Sequence, residues 1–301
     1  MPSRRHELMA QVLPRMRKSR DLESPEVERA RLETWHATLD RGFPTGAVPL
    51  FGRRYAVVRE DLPADFPSYT LTRRGSTPAR TVVYVHGGGF VGPIDPFHVR
   101  YAARLASALG ARVVLPDYPL TPEHTWRDSH EPIVGLIERW LADSPDGVVL
   151  GGDSAGGGLA LALALTVRDR GGPQPSHLLL LSPWVDLTTS TPETYEVTKT
   201  DPWLFLGKMK AYASWWAGSE DLARPEVSPA LADLTGLPPA LMFFGTRDSL
   251  SPGGRLLARR AAEAGWELTM VEEPGLIHVY PLLPLLPEAG RAWRRTLEFL
   301  R

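Results

Sequence analysis

A serine flanked by glycines separates a short apolar run from a helix-length segment, in the sequence Gly152-Asp153-Ser154-Ala155-Gly156. The apolar run Val148–Leu150 predicts a buried strand, and a helix is predicted to begin near Leu159. A serine on such a turn is held in strained backbone geometry, and the glycines remove side chains that would clash there. The first turn of the helix also offers free N–H groups where negative charge can develop. We therefore favour a nucleophilic Ser154 over a purely structural glycine-rich turn.

Strands and helices alternate along the chain from about Tyr55. The predicted strands are Tyr55–Arg59, Tyr69–Arg73, Thr81–Val85, Arg112–Leu115, Val148–Leu150, His177–Leu181, Leu241–Phe244 and Leu268–Val271. Helices are predicted at Val99–Leu109, Ile133–Leu141, Leu159–Arg168 and Arg255–Ala264. Because several strands are continuously apolar, we expect an α/β fold with a mostly parallel sheet that is covered by helices on both faces. The first two strands are close in sequence, which predicts an antiparallel edge.

Residues 182–239 interrupt this alternation. They contain no clear strand, and helix patterning is visible around Leu206–Trp216. The segment is rich in aromatic residues, including Trp184, Trp203, Phe205, Trp215 and Trp216. A long excursion after a strand is where α/β folds insert caps over active sites, and we expect one here.

The first 45 residues are predicted to be helical. One helical face carries Leu8, Val12, Leu13 and Met16, whereas the basic residues lie largely elsewhere, at Arg4, Arg5, Arg15, Arg17 and Lys18. Pro14 interrupts this pattern and predicts two short helices or one kinked helix. We favour a packed helix with a solvated basic face over a membrane-surface or lid role.

A run of glycines follows the predicted strand Thr81–Val85, in His86-Gly87-Gly88-Gly89-Phe90. Consecutive glycines let the backbone approach a ligand and expose N–H groups to it. The N–H groups of Gly88 and Gly89, together with that of Ala155, are candidates for an oxyanion hole. A phosphate-binding loop is the rival interpretation, but neither Lys-Ser or Lys-Thr nor the G-x-G-x-x-G spacing is present.

A catalytic serine needs a base and an acid that orients it, both on loops at the same sheet edge. His278 follows the last predicted strand and is the candidate base, while Asp248 directly follows the strand Leu241–Phe244 and is the candidate acid. Asp186, one strand earlier, is the runner-up for the acid. The other histidines are expected to have other roles: His86 steadies the glycine loop, His98, His124 and His130 lie in connecting segments, and His6, His36 and His177 lie far from the site.

Composition excludes several other classes of protein. The chain has no cysteine, so a disulfide framework, thiolate zinc sites and a cysteine nucleophile are excluded. No close spacing of metal ligands is present, and the net charge of −1 gives no field that would gather nucleic acid. The N-terminus lacks the apolar region of a signal peptide, and the most apolar stretch, residues 148–167, carries Asp153 and several glycines. We therefore expect a soluble, cytoplasmic protein without stable membrane insertion.

These motifs, in this order, resemble the bacterial hormone-sensitive-lipase-like family of α/β-hydrolase esterases over roughly residues 50–301. The resemblance rests on the blocks HGGGF, DYPLTPEH, GDSAGG, GTRDSL and PGLIH. It implies the α/β-hydrolase fold, Ser154 as nucleophile, His278 as base and Asp248 as its partner. It also implies Gly88, Gly89 and Ala155 as oxyanion donors, and no cofactor.

The resemblance further implies a helical cap that divides the core. We expect cap helices in residues 1–45 and a cap insertion in residues 186–220, with the core in residues 46–185 and 221–301. Four positions depart from the family pattern: Pro119 replaces the usual Arg, Trp126-Arg127 replaces a more Pro-rich continuation, Gly158 replaces a frequent Asn, and Pro252 replaces a common second acid. These departures affect the shape of the pocket and not the type of reaction.

The expected reaction is hydrolysis of a small-molecule carboxylic ester through an acyl-enzyme. We expect uncharged esters, because the nucleophile and glycine motifs contain no Arg or Lys that would receive a substrate carboxylate. We expect short to medium acyl chains, because the cap is expected to limit the length of the pocket. Phe90, Trp203, Phe205 and Trp215 are candidate substrate contacts. An amidase, deacetylase or acyltransferase with the same triad, and a non-catalytic binder that has kept the fold, are the alternatives. The sequence leaves homo-oligomer formation open.

Overall fold

The computed structural model describes residues 1–16 and 20–301, so that Arg17 and Lys18 of the predicted basic face lie outside it. The strands within the described residues are β1 Tyr55–Leu62, β2 Phe66–Arg73, β3 Thr81–Val85, β4 Arg112–Pro116, β5 Val148–Asp153, β6 His177–Leu181, β7 Ala240–Arg247 and β8 Leu268–Ile277. The α-helices there are α1 Arg4–Met16, α2 Pro25–His36, α3 Phe51–Arg54, α4 Pro96–Leu109, α5 Trp126–Asp143, α6 Ser154–Asp169, α7 Glu193–Val197, α8 Leu206–Ala217, α9 Ser251–Glu263 and α10 Pro287–Phe299. Three short 3₁₀ turns, Thr45–Ala47, Pro229–Leu231 and Tyr280–Leu282, complete the elements.

The strands form one sheet in the order β1-β2-β4-β3-β5-β6-β7-β8. β1 pairs antiparallel with β2 and β2 antiparallel with β4, whereas the pairs from β4 to β8 are parallel. The predicted parallel sheet with an antiparallel edge is therefore confirmed. The carboxyl ends of β3, β5, β7 and β8 meet at one edge, which is where open α/β sheets bind ligands.

Two apolar clusters lie on opposite faces of this sheet because the side chains of a strand alternate between its faces. In β3, Val83 and Val85 belong to the cluster that includes residues of α5, α6, α8 and α9. Val82 and Tyr84, the alternate residues, belong to the cluster with α4 and α10. The central strands β3, β5 and β6 are buried on both faces, which explains why their sequences are almost continuously apolar.

Helix α1 buries only part of the apolar face that was predicted. Leu8 is 63% exposed and Val12 is 36% exposed, whereas Ala10 and Leu13 are buried. Ala10 and Leu13 pack in a small apolar cluster with Ile277 at the end of β8. The expectation that Leu8 and Val12 are packed was wrong. Residue hydrophobicity alone does not fix the orientation of α1, whose packed face carries Ala10 and Leu13.

Pro14 lies inside α1, which is a single helix that includes it in its last turn, and α2 follows as a second helix. α2 begins after Ser24, whose side chain accepts a hydrogen bond from the N–H of Val27, and Pro25 occupies its first position. Among the residues that the structure describes, none of the helices combines the length and the apolar character needed to cross a membrane.

The glycines at the start of α6 are required by close packing. A Cβ on Gly158 would lie 1.9 Å from the carbonyl oxygen of Trp184, and one on Gly156 would lie 2.2 Å from that of His86. Real Cβ atoms do not approach backbone oxygens so closely, so any side chain forces the helix away from its neighbours.

Replacing Gly158 with alanine is expected to destabilise the fold by about 1–3 kcal/mol, the usual cost of overpacking. Gly135 in α5 is the matched control, because it is exposed and a Cβ there meets nothing within 4 Å. Gly135→Ala is expected to stabilise the protein by about 0.5–1 kcal/mol, since alanine is the better helix former. Chemical denaturation of both variants measures the two effects, and equal stabilities would contradict this account of α6.

Candidate active site

Ser154, His278 and Asp248 form a continuous hydrogen-bonded chain. The Oγ of Ser154 is 2.9 Å from the Nε2 of His278, and the Nδ1 of His278 is 2.9 Å from the Oδ2 of Asp248. A carboxylate can only accept, so the proton lies on Nδ1 and Nε2 is free to accept the proton of the serine hydroxyl. Three buried side chains from three different strand ends are thereby arranged for proton transfer away from Ser154.

Ser154 is the first residue of α6 and has a φ of +52°, in the left-handed region that non-glycine residues rarely adopt. Its carbonyl oxygen accepts the N–H of Trp184 at 2.8 Å, which fixes the turn against the segment after β6. The side chain remains 8% exposed and lines a cavity. The strained turn predicted between a strand and a helix is therefore present at this serine.

Asp248, and not Asp186, contacts His278. The second oxygen of Asp248 accepts the N–H of Leu250 at 3.0 Å, so that both oxygens are engaged. Asp186 instead accepts hydrogen bonds from Thr188 and Ser190, both from their N–H groups and from their hydroxyls. Its carboxylate organises the turn after β6 and does not orient the histidine.

Two buried polar residues that support the loops of His278 and Asp248 were not predicted. The hydroxyl of Ser182 accepts the N–H of Val279 at 3.0 Å, directly after His278, where the backbone of Val279 has a φ of +46°. The carboxylate of Asp201 accepts both the N–H and the hydroxyl of Ser249 at 2.7 Å, directly after Asp248. No local pattern marks either residue, because each acts on a loop that is distant in sequence.

The pKa of His278 is raised above its ordinary value. Burial works against this by disfavouring the charged imidazolium, but the charge of Asp248 and its hydrogen bond outweigh burial. The charges of Asp201 and Asp153 add to the increase. Because an imidazole must be neutral to accept a proton, the capacity of His278 to accept the proton of Ser154 is lost as the pH falls through this raised pKa.

The glycine loop approaches the serine turn closely. Gly88 has a φ of +117°, and a Cβ there would lie 2.8 Å from the carbonyl oxygen of Gly92. The N–H of Gly87 donates to the Oδ1 of Asp153 at 3.1 Å, which ties the loop to the residue before Ser154. Gly88 and Gly89 line the same cavity as Ser154 and His278.

Ala155 is fully buried and lies in the first turn of α6, where N–H groups lack intrahelical partners. The three predicted oxyanion donors therefore come from the two segments that meet at Ser154. His86 supports the glycine loop, as expected: its ring stacks on that of Tyr118 at 4.2 Å, and its Nδ1 donates to the carbonyl of Gly87.

The cavity beside Ser154 has a volume of about 1190 Å³. Trp203 and Phe205 line it, and the ring of Trp203 meets that of His278 edge-on at 5.6 Å. The other aromatic candidates do not line it. Phe90 is buried with its ring stacked on Trp216 at 4.2 Å, and Trp215 packs beside Arg29 and Tyr212.

The predicted contacts at Phe90 and Trp215 are therefore wrong, because the ring of Phe90 packs against Trp216 of α8 and the ring of Trp215 packs against Arg29 of α2 instead. Sequence reasoning also placed His6 and His36 far from the site, and this is wrong too. His36 contacts the carbonyl of Val91 at 2.8 Å beside the glycine loop, and the Nε2 of His6 accepts the N–H of Ile277 at 3.1 Å. Both come from the N-terminal helices, whose path over the sheet edge no local pattern reveals.

Comparison with known proteins identifies the family of this chain. A sequence model of proteins with the α/β-hydrolase fold matches residues 82–282, which is more than half of the chain. The chain belongs to the α/β-hydrolase family. The predicted resemblance is confirmed by its relatives: an acetyl-hydrolase of Streptomyces hygroscopicus is 34% identical over 225 residues, covering 74% of this chain and 75% of that protein.

Further relatives point to the same group of α/β hydrolases. A carboxylesterase of Mycobacterium tuberculosis is 31% identical over 234 residues, which cover 73% of this chain and 72% of that protein. Among solved structures, an esterase from the bacterial hormone-sensitive lipase family is 28% identical and superposes with a TM-score of 0.82. The superposition covers 100% of this chain and 99% of that esterase. The esterase EstE5, in crystals soaked with p-nitrophenyl butyrate, is 27% identical and has a TM-score of 0.81. Its superposition covers 99% of this chain and 98% of EstE5.

The N-terminal region contacts the segment after β4 at Asp117. The resemblance implies an arginine at position 119, where this chain has Pro119, and the guanidinium that meets Asp117 comes from Arg41, in the N-terminal region. Arg41 also donates to the carbonyl oxygens of Asp117 and Tyr118, both at 2.8 Å. The N-terminal region is thereby fastened to the segment after β4.

Replacing Asp248 with asparagine is expected to lower kcat by about 10⁴-fold, the loss that the equivalent change causes in a serine protease. The amide removes the charge and the hydrogen bond that raise the pKa of His278, so the acid-side midpoint of kcat/KM is expected to move to lower pH. In the wild type this midpoint is expected above about pH 6.5, the ordinary histidine value.

Asp186→Asn is the matched control, and it is expected to keep the wild-type midpoint because the carboxylate of Asp186 accepts hydrogen bonds from Thr188 and Ser190 and makes none with His278. A full pH profile of kcat/KM for the three proteins makes the comparison. If Asp186→Asn is the more damaging change, or if the wild-type profile is flat between about pH 5 and 8, His278 is not the base that Asp248 orients.

Proposed function

We propose that this α/β hydrolase cleaves carboxylic esters through an acyl-enzyme, with Ser154 as nucleophile, His278 as general base and Asp248 as the acid that orients the base. The observation that carries the proposal is the pair of 2.9 Å contacts joining these three side chains. The relatives named above, an acetyl-hydrolase, a carboxylesterase and an esterase, support an ester as the substrate.

In the first half of the proposed reaction, His278 Nε2 takes the hydroxyl proton as Ser154 Oγ attacks the ester carbonyl carbon. The tetrahedral intermediate collapses when the bond to the alcohol oxygen breaks, and the imidazolium protonates that leaving oxygen. Asp248 keeps the imidazole in the required tautomer and stabilises its charged form. In the second half, His278 activates water, which attacks the acyl group on Ser154 and releases the acid.

We propose that the N–H groups of Gly88, Gly89 and Ala155 stabilise the oxyanion of both tetrahedral intermediates. Donors fixed before the reaction need no reorganisation when charge develops, and removing one such donor costs about 10²–10³ in kcat in a comparable enzyme. The support is the convergence of the glycine loop and the first turn of α6 beside Ser154. The proposed reaction uses only side chains, backbone N–H groups and water.

We propose that the acyl chain is short to medium in length and that Trp203 and Phe205 bound its pocket. Both rings line the cavity that contains Ser154 and His278, and aromatic side chains line small-molecule sites well. The cavity, of about 1190 Å³, has room for such an ester.

The proposal of uncharged substrates depends on how the cations of the cavity are paired. Arg20, Arg31 and Lys208 line it, although none of them lies in the nucleophile or glycine motif. Arg20 is exposed and lies 3.9 Å from Glu23. Arg31 and Lys208 face the buried carboxylate of Glu28, with Arg31 in a bidentate pair at 2.8 Å and Lys208 at 3.4 Å. Burial opposes the ionisation of Glu28, but the hydrogen bonds from Arg31 and Tyr212 lower its pKa to about 2, so it stays charged and engages these cations at neutral pH.

We propose that residues 1–45 and 186–220 form the cap, with the core in residues 46–185 and 221–301. Support comes from the cavity, whose lining includes Glu28, Arg31 and Trp35 of α2 and Tyr212 of α8. The hydroxyl of Tyr212 donates to the carboxylate of Glu28, which joins the two segments over Gly89.

A series of p-nitrophenyl esters from acetate to laurate tests the substrate proposal. We expect kcat/KM to rise by at most about fourfold per methylene, because each buried methylene contributes about 0.8 kcal/mol, and to fall once the pocket is full. Phe205→Ala is expected to move this optimum to a longer chain. Trp215→Ala is the matched control and is expected to leave it in place, since Trp215 does not line the cavity.

Ser154→Ala is the control for the chemistry and is expected to lose at least about 10⁴-fold in kcat. A p-nitroanilide with the best acyl chain distinguishes the alternatives: faster cleavage of the anilide than of the ester identifies an amidase. Activation by emulsified long-chain triglyceride, or strict dependence on a charged acyl group, would contradict the proposed substrate class.

A further inference from the structure

A buried histidine of the N-terminal helix contacts the backbone that carries the proposed base. The Nε2 of His6 accepts the N–H of Ile277 at 3.1 Å, and Ile277 directly precedes His278. His6 has no exposed surface and Ile277 has none either. Because β8 is the last strand of the sheet, one side of it has no neighbouring strand to accept its N–H groups. His6 supplies an acceptor of this kind beside the site.

The residues around His6 hold it in this position. The ring of Pro2 covers Gly275, since a Cβ on that glycine would lie 2.6 Å from it. Ser3 donates to Glu288 through its N–H at 2.6 Å, and the hydroxyl of Ser3 accepts the N–H of His6 at 3.2 Å. The beginning of the chain is thus docked along β8 and the start of α10.

We propose that His6 is a positioning residue for the reaction, whose neutral Nε2 fixes the backbone of Ile277 and so holds the imidazole of His278 between Ser154 and Asp248. This inference rests on the proposed role of His278. His6 touches neither the cavity nor the reacting atoms, so it acts only through the loop.

The hydrogen bonding of His6 favours this role over simple packing. With Nε2 as the acceptor, the proton lies on Nδ1, and that atom has no hydrogen-bond partner among the residues that the structure describes. A buried donor without a partner costs free energy, and an apolar side chain would avoid this cost. The imidazole is suited to this place because it brings an acceptor to the N–H of Ile277.

Protonation of His6 would abolish this contact, since both ring nitrogens of an imidazolium are donors and Nε2–H would face the N–H of Ile277. The charged groups facing the ring are Glu7 on its own helix, Glu288 on α10, and Arg247 and Glu273 on β7 and β8. Burial outweighs the attraction of the three carboxylates and, with the help of Arg247, lowers the pKa of His6 below its ordinary value. His6 is therefore neutral at the pH where His278 becomes active.

The two histidines are expected to titrate separately, because the pKa of His278 is raised and that of His6 is lowered. As the pH falls, log kcat/KM of the wild type should first decline with a slope of 1, when His278 is protonated. At lower pH the slope should approach 2, when His6 is protonated as well and the loop is released. Far-UV circular dichroism at each pH separates this loss from unfolding.

Two variants of His6 test the proposal, measured with a p-nitrophenyl ester at about pH 8. His6→Gln places an amide oxygen near the position of Nε2 and cannot titrate, so kcat is expected within about threefold of wild type, and the slope should stay at 1. His6→Met fills the space without an acceptor, and kcat is expected to fall about 10- to 100-fold with little change in KM, since a small misplacement of a catalytic group costs this much. Glu7→Gln is the control for docking, because it weakens the pairing with Arg247 and leaves the acceptor intact.

Wild-type kcat in His6→Met, a slope of 2 that persists in His6→Gln, or equal losses in both variants would overturn the proposal. A loss in Glu7→Gln as large as that in His6→Met would do the same, because docking alone would then explain it. His278→Ala is measured beside them: if it keeps wild-type activity, the proposed function has failed, and the result is distinguishable from a failure at His6.

Discussion

The close approach of the first turn of α6 to the loop after β3 determines the arrangement of the whole site. No side chain fits between the two segments, since a Cβ on Gly156 would lie 2.2 Å from the carbonyl oxygen of His86. Asp153 ties the loop to the turn by accepting hydrogen bonds from the N–H of Gly87 and the hydroxyl of Tyr84. The strained backbone of Ser154 is maintained because the packing around it leaves no alternative. The nucleophile and the N–H groups proposed for the oxyanion hole therefore come from one tightly packed unit.

The proposed base and its acid come from the other half of the site and are held differently. His278 and Asp248 lie on loops, and each loop is fixed by a buried polar residue from elsewhere in the chain, Ser182 in one case and Asp201 in the other. Loops that carry function need such anchors, because their backbone groups have no strand partners. In our proposal His6 belongs to the same set of anchors, and its acceptor atom Nε2 becomes a donor when the ring is protonated.

Much of the fold and of the central chain of the site could be predicted from sequence. The apolar strands and the glycines around Ser154 are local signals, and the order of strand ends along the chain selects Asp248 over Asp186. The shape of the cavity could not be predicted in the same way. Whether Phe90 or Phe205 faces a substrate depends on how α8 packs, and the contacts of His6 and Arg41 depend on the path of the N-terminal region over the sheet. These are long-range contacts between segments with no shared pattern.

In the proposed reaction, Ser154 forms a covalent bond to the substrate during turnover. A fluorophosphonate probe reacts with an activated serine, so the measurement is peptide mass spectrometry after stoichiometric labelling, alongside the remaining esterase activity. Our account predicts the label on Ser154, loss of activity in proportion to labelling, no label at this position in Ser154→Ala, and much slower labelling in His278→Ala. Labelling of another serine in step with inactivation, or active protein that takes up no label, would contradict it.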